Sequence, residues 1–265
     1  MMGATQPVGD LLREWRQRRR MSQLDLALEA EVSTRHLSFV ESGRAQPSRD
    51  MVLNLAERLE VPLRERNVLL VAAGFAPVFR ERALQDPALD AARTAVDLVL
   101  KGHEPYPALA IDRHWTMAAS NAAVARLVGA ADPSLLEPPI NVLRLSLHPK
   151  GLAPRIANLP EWRRHLLERL RRQVEVSADP KLAELLKELQ GYPVAKSSPR
   201  KPGNGELAAV VVPFQLVTDA GTLSFFSTTT VFGTPVDITL SELALECFYP
   251  ADAATVQALQ ALAEG

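Results

Sequence analysis

The chain of 265 residues has a single cysteine, Cys247. This excludes an internal disulfide and any cysteine-built zinc or iron-sulfur centre, and between Leu245 and Phe248 the thiol reads as a small buried hydrophobe. Metal-ligand spacing is missing as well: among His103, His114, His148 and His165 no pair lies four apart around a glutamate. There is no phosphate loop, and Ser227 lacks the flanking glycines of a nucleophile elbow. Neither a catalytic residue nor a metal is therefore expected. No apolar stretch approaches the length that crosses a bilayer, and residues 1–7 lack a basic start followed by an apolar run, so a cytoplasmic protein without membrane contact is expected. Charge of one sign is not in excess either. A net charge of -1 argues against a chain-wide grip on nucleic acid and leaves that task to a local basic surface. Internal repeats are absent. What is present is ordinary globular usage, 47% hydrophobic and 23% charged, at a length that accommodates two compact cores.

The first quarter is organised as short helices. Val8, Leu11, Leu12 and Trp15 fall at helical spacing and run into Arg16, Arg18, Arg19 and Arg20, a helix with a basic end. Ser22 precedes Gln23-Leu24-Asp25-Leu26-Ala27 and can accept from the unpaired amides of a second helix, with Asp25 supporting its positive end. Ser33 caps a third, Thr34 to Glu41, stopped by Ser42-Gly43. Within it Leu37 and Val40 face inward, which leaves Thr34, Arg35, Ser38 and Phe39 outside. A turn follows from Gly43 to Ser48, then a fourth helix through Leu53, Ala56 and Leu59. Val61-Pro62 interrupts, and Leu63 to Ala73 forms a fifth helix ended by Gly74.

A pair of helices joined by a turn is not itself a function, because bundles contain such pairs. The informative feature is what lies outside. Ser22-Gln23 and Ser33-Thr34-Arg35 put helix starts together with side chains that bond phosphates or base edges, and Arg44, Gln46, Ser48 and Arg49 follow at once. With the third helix in a major groove, Arg35 can bond guanine acceptors while Thr34 or Ser38 meets neighbouring bases. The plainer alternative makes Arg35 and Arg49 solvated charges and Phe39 a packing residue. The segments Met21-Ser22-Gln23-x-x-Leu26-Ala27 and Val40-Glu41-Ser42-Gly43-Arg44-x-x-Pro47-Ser48 resemble the helix-turn-helix family named after the Xre repressor. The resemblance implies double-stranded DNA as a partner, with Gln23, Thr34, Arg35 and Phe39 near bases and Arg44 and Arg49 near the backbone. Phe39 departs from the commoner polar residue at its place and is suited to a thymine methyl.

Beyond Pro77, Asp86-Pro87 opens a helix that runs to Lys101-Gly102 and reads as a connector. The texture changes past Pro105. Pro107 to Asp112 suits a strand, Asp112-Arg113-His114 a turn, and Ala122 to Val128 a helix. Trp162, Leu166, Leu170 and Val174 mark a longer helix, and Asp179-Pro180 caps one carrying Leu182, Leu185, Leu186 and Leu189. Tyr192 to Gly205 is expected as an exposed loop. Leu207 to Val217 and Thr222 to Phe232 form a hairpin around Asp219-Ala220-Gly221, Leu243 to Tyr249 a last strand, and Asp252 caps a terminal helix. The expected organisation is an all-α, five-helix domain at 1–78, a connecting helix at 79–104, and an α+β domain with an antiparallel sheet at 105–265.

In the second domain Asn121, Asn141, Arg144, His148, Arg155, Asn158 and Trp162 punctuate apolar sequence, a pattern that suits a ligand pocket. Asp112-Arg113-His114-Trp115, Asn121, Asn141 to Pro149, Ala157-Asn158-Leu159, Phe226-Ser227-Thr228-Thr229, Gly233 to Asp237 and Tyr249 to Asp252 resemble the ligand-binding domain of MmyB-like transcription regulators, a PAS-like fold. That resemblance implies a sensory pocket for a fatty acid or similar lipid, with no cofactor besides such an effector. A dozen buried methylenes at about 0.8 kcal/mol each would contribute about 9 kcal/mol gross. Arg144, Arg155 and His148 are the candidates for a carboxylate partner, and Trp115, Leu147, Ile156, Trp162, Leu166, Phe225 and Phe226 for the walls. The same aromatics also read as plain core, Asn121 and Asn158 as caps, and the arginines as surface ion pairs. The run Arg163, Arg164, Arg169, Arg171 and Arg172, with Glu168 and Glu175, reads as a solvated helix face. The expected whole is a homodimeric, ligand-sensing regulator. A second domain that only dimerises, or a DNA-tethered lipid enzyme, stands as the alternative.

Overall fold

In the computed structural model, which describes residues 6–177, 179–193, 212–233 and 237–264, five short helices follow one another at the start of the chain. They are α1 (Val8–Arg18), α2 (Gln23–Glu29), α3 (Thr34–Glu41), α4 (Arg49–Arg58) and α5 (Leu63–Ala72). Ser22, Ser33 and Ser48 cap α2, α3 and α4 by accepting from the backbone N–H of Asp25, His36 and Met51 at 3.1–3.2 Å. All five helices stop in the same way. A residue of positive φ follows each cap: Arg20 at 57°, Glu31 at 56°, Gly43 at 72°, Glu60 at 47° and Gly74 at 84°. The next N–H then returns to a carbonyl in the last turn, Met21 to Arg16, Val32 to Ala27, Arg44 to Phe39, Val61 to Ala56 and Phe75 to Leu70. These are Schellman stops, and Met21, Val32, Val61 and Phe75 pack back on the core.

That core is built on Leu12, Leu26, Leu37, Val52, Leu55, Leu59 and Leu70. Gly9 admits α1 to the end of α3, since a Cβ there would lie 2.3 Å from the carbonyl oxygen of Val40. The described residues divide into two compact units, and the first contains, besides the chain up to Arg82, the segment Asp237–Ser241. Asp237 is fully buried and pairs with Arg82 at 3.0 Å. Ile238 is buried too, its N–H donates to the Arg80 carbonyl, and the Thr239 hydroxyl donates to the Arg82 carbonyl. Asp237, which the sequence placed in a ligand-domain segment, is held by this pairing with Arg82; Thr234–Val236 lie outside the described residues.

The second unit begins at Ala83. Its elements are α6 (Asp90–Gly102), β1 (Ala108–Ile111), β2 (Met117–Ser120), α7 (Ala122–Val128), α8 (Val142–Leu147), α9 (Leu159–Ser177), α10 (Pro180–Gln190), β3 (Phe214–Thr218), β4 (Gly221–Val231) and β5 (Ala244–Pro250), then a terminal helix Ala253–Glu264. The strands form one antiparallel sheet in the order β2-β1-β5-β4-β3, an α+β arrangement of the expected PAS-like kind. The helix read as a connector is α6, and it lays Val96 and Leu100 against Ala108, Ala110, Leu245 and Cys247 on one sheet face. Asn121 fastens this junction: its side-chain oxygen accepts from Ala108 N–H and its amide donates to the Leu100 and Tyr106 carbonyls. The other face meets the larger core, where Leu143, Leu170, Leu182, Leu189 and Phe225 are fully enclosed. Of the expected loop and hairpin, residues 194–211 lie outside the described residues. No described helix is long and apolar enough to cross a membrane.

Arg20, Glu31 and Glu60 hold a left-handed conformation that costs an L side chain about 1 kcal/mol or more and a glycine almost nothing. Glu31→Gly is expected to stabilise the first unit by about 1 kcal/mol and Gly43→Ala to destabilise it by a similar amount. Nothing lies within 4 Å of an added Cβ at Gly43, so the second effect is conformational rather than steric. Denaturant unfolding checks both.

Candidate functional site

On α3, Leu37 and Val40 turn into the core, Arg35 is exposed, and Thr34, Ser38 and Phe39 are half-buried. The Phe39 ring is flanked by the guanidinium groups of Arg35 and Arg44, 5.4 and 6.0 Å from its centroid. This cluster joins an aromatic face to two cations, each attracted to the ring by its quadrupole. Gln46, Ser48 and Arg49 are exposed beside it in sequence, with Gln46 reaching the Ala73 carbonyl at 3.4 Å. The hydroxyls of Ser22, Ser33 and Ser48 are engaged as helix caps. Gln23 donates one amide N–H to Glu41 at 2.8 Å, which leaves its oxygen and second N–H available.

Glu41, at 1% exposure, fixes the end of α3 against α1 and the start of α2. Arg16 grips its carboxylate with two N–H groups at 2.6 and 2.8 Å, and Arg13 donates to its backbone carbonyl at 2.7 Å. Burial alone would push the Glu41 carboxyl up, but the hydrogen bonds from Arg16 and Gln23 and the charges of Arg16 and Arg13 outweigh it. The carboxyl therefore stays below the usual carboxylate range. The bond to Glu41 in turn raises the Arg16 pKa. Part of the basic end of α1 packs against the unit: Arg18 and Arg19 lie 5.0 and 5.5 Å over the Trp15 ring, and Arg19 also donates to the Leu59 carbonyl, while Arg18 and Arg20 stay exposed.

The second unit holds a partly open cavity of about 100 Å³ between the sheet and helices α7, α8 and α9. Of the residues expected to form a pocket, Trp115, Trp162, Leu166 and Phe225 line it, together with Phe214 and Phe248. The others stand elsewhere. Phe226 points to the opposite sheet face, where it stacks on Tyr249 at 5.3 Å, because neighbours on a strand alternate sides. Leu147 and Ile156 are core residues beyond the lining, and Asn121 is the fastener of α6. Arg144 is turned outward and paired with Glu188 at 2.7 Å. Arg155 donates to the Val217 carbonyl, Asn158 bonds Pro213 and Gln215 at the edge of β3, and His148 accepts from the Lys150 N–H and packs on Tyr192.

The charge at the cavity comes instead from Arg169 and Glu246, neither of which the sequence singled out as a pocket residue. Arg169 bonds the Glu246 carboxylate, donates to the Thr229 hydroxyl at 3.0 Å, and lies 4.6 Å over the Trp115 ring. Trp115 is itself fixed by its indole N–H, which donates to Gln173 at 2.8 Å. Ser146 and Ser227 complete the polar lining, Ser146 accepting from the Trp162 indole at 3.0 Å. Helical spacing held the one available clue, since Arg169 falls three after Leu166 and seven after Trp162, on their side of α9.

Residues 92–262 match the family model described as the MmyB-like transcription regulator ligand binding domain, and residues 12–66 match a helix-turn-helix model. An HTH-type transcriptional regulatory protein of Methanoculleus marisnigri is 37% identical over 116 residues, 42% of this chain and 37% of that relative's length. The chain therefore matches well under half of that curated relative. Among solved structures, the clp gene regulator ClgR from Corynebacterium glutamicum is 24% identical over 37% of this chain and 90% of its own, with a TM-score of 0.23. An RNA-binding light-oxygen-voltage receptor is 12% identical over 97% of this chain and 63% of its own, with a TM-score of 0.25. Both likenesses are too slight to bear on the fold or its use.

The Glu41 pair carries a stability consequence. Because the folded carboxyl is held below its ordinary value of 4.5, its contribution is complete above that pH and is lost as pH falls through the folded value. Glu41→Gln keeps the shape but leaves the Arg16 charge unpaired, and is expected to cost the first unit about 3 kcal/mol at neutral pH. The loss should shrink below about pH 4 when unfolding is followed across a pH series.

Proposed function

The chain belongs to the MmyB-like transcription regulators, as a DNA-binding transcription regulator with a ligand-binding domain, and from that premise we propose that a small apolar molecule in the cavity changes how the first unit reads DNA. The observation that carries this reading is the cavity itself, apolar on nearly all sides and closed at one place by a charged pair. Connectivity supports it further. Strands β4 and β5, which supply Phe225, Ser227, Glu246 and Phe248 to the lining, are joined through the segment Asp237–Ser241 that belongs to the helix-turn-helix unit.

We assign the reading to α3. Arg35 bonds guanine, Thr34 and Ser38 meet adjacent bases, and Phe39 offers its ring to a thymine methyl, while Gln23 reaches a base with the amide groups that Glu41 leaves free. Arg44, Gln46 and Arg49, with the capped helix starts at Ser22, Ser33 and Ser48, hold the phosphate backbone. A homodimer would set two such helices about 34 Å apart over an inverted repeat. The protein would act in the cytoplasm, where its operator lies.

A fatty acid or related lipid is the ligand class we favour. The cavity, about 100 Å³, is smaller than the roughly 150 Å³ engineered cavity that accepts benzene in another protein. A long chain therefore either extends from the opening or displaces the walls, and such displacement is what a switch needs.

Selection of binding sites from random duplexes with the full chain should recover an inverted repeat. Arg35→Ala is expected to weaken the selected site about 5- to 150-fold, the equivalent of about 1–3 kcal/mol for a bidentate base contact, and to relax preference at one base pair. Equal binding to all duplexes, or an unchanged preference in the variant, would overturn the assignment of α3.

A further inference from the structure

Among the described residues, the charges that line the cavity sum to zero. Arg169 carries the one positive charge among the lining residues and Glu246 the one negative, and they are already paired with each other. Glu246 is 4% exposed, so water does not screen it, and its remaining bond comes from the Thr229 hydroxyl at 2.9 Å. The Arg169 guanidinium is held on its face by Trp115 and on its edge by Glu246 and Thr229, with a side-chain exposure of 31%. His165, which interacts with both charges, supplies no compensating cation at neutral pH. Burial first, and the charge of Arg169 second, hold it below the ordinary histidine range.

We propose that the cavity selects an apolar molecule whose polar head is uncharged and both donates and accepts hydrogen bonds, such as a primary amide, an alcohol or a protonated acid, and that it discriminates against an ionised carboxylate. This rests on the cavity being the ligand site, and it narrows the lipid class named above. An ionised carboxylate brought to Arg169 sets a second anion beside Glu246 with one cation between them, in a place where water is scarce. A neutral head avoids that repulsion. It accepts from an unspent Arg169 N–H and donates to a Glu246 oxygen, leaving the ion pair intact. Ser227 and Ser146 add hydroxyls along the same lining. The arginines that a carboxylate would otherwise seek, Arg144 and Arg155, are bonded away from the cavity to Glu188 and to the Val217 carbonyl.

The test is a head-group series on one tail, octanamide, 1-octanol and octanoate, titrated calorimetrically into the full chain at neutral pH. Octanamide and octanol are expected to bind at least about tenfold more tightly than octanoate, the ratio that one pKa unit of charge discrimination represents. Glu246→Gln retains the shape and the bonds to Arg169 and Thr229 but removes the anion. It should strengthen octanoate relative to octanamide about tenfold, so that the ratio between the two heads collapses toward one. Octanoate binding to the unaltered protein as tightly as the amide overturns the proposal, whatever the variant does. A preference for neutral heads that persists undiminished in Glu246→Gln overturns its cause. Failure of all three compounds to bind instead overturns the cavity as the ligand site.

Discussion

The sheet of the second unit closes only when β5 enters between β1 and β4, and the chain reaches β5 directly from a segment anchored in the first unit. Much depends on this one constraint. The strand is buried on both faces, Leu245 and Cys247 toward α6 and Glu246 and Phe248 toward the larger core. Its central place brings Glu246 to α9 and so to Arg169, across 77 residues of sequence. It also means that β4 and β5, two walls of the cavity, are joined in sequence through Asp237 and Ile238, which belong to the first unit. A non-local strand order of this kind makes the sheet slow to assemble.

Two buried carboxylates organise the two units by the same chemistry. Glu41 and Glu246 are each nearly sealed from water, each bonded to an arginine and each given a further bond by a neutral side chain, Gln23 in one case and Thr229 in the other. Such pairs contribute little net stability over an apolar substitute but penalise any arrangement that separates them. In the first unit this penalty locks α3 at a fixed angle to α1 and α2, so that Arg35, Phe39 and Arg44 project from a rigid support. In the second it fixes the polar end of an apolar cavity.

The helices of the first unit were legible because their signals are local. Ser22, Ser33 and Ser48 act within one turn, and Gly43 and Gly74 mark stops by their own conformational freedom. The stops at Arg20, Glu31 and Glu60 carried no such mark, since tertiary packing of the following residue imposes them. Strand β2, Met117–Ser120, escaped notice because Met-Ala-Ala-Ser has little β-propensity and is held by pairing with β1. The cavity was half legible. Its aromatic walls follow from burial, whereas its charges do not: Arg169 sits in an arginine-rich run that resembles a solvated face, and Glu246 becomes a lining residue only through the order of strands that are distant in sequence. Arg144 and Arg155 attracted the headgroup role because they lie in or near the segments of family resemblance, yet partners on α10 and β3 take them out of reach.

The most direct measurement is the affinity of the full chain for its selected operator with the cavity empty and with it filled by octanamide. It should be made in parallel on Val128→Trp, a substitution at the lining that occupies the space with a side chain. A cavity coupled to the DNA-reading helix requires operator affinity to shift at least about tenfold on ligand addition, within the usual 1–3 kcal/mol range of such couplings, and to be insensitive to ligand in the filled variant. Ligand that binds in the cavity while operator affinity stays the same would contradict that coupling.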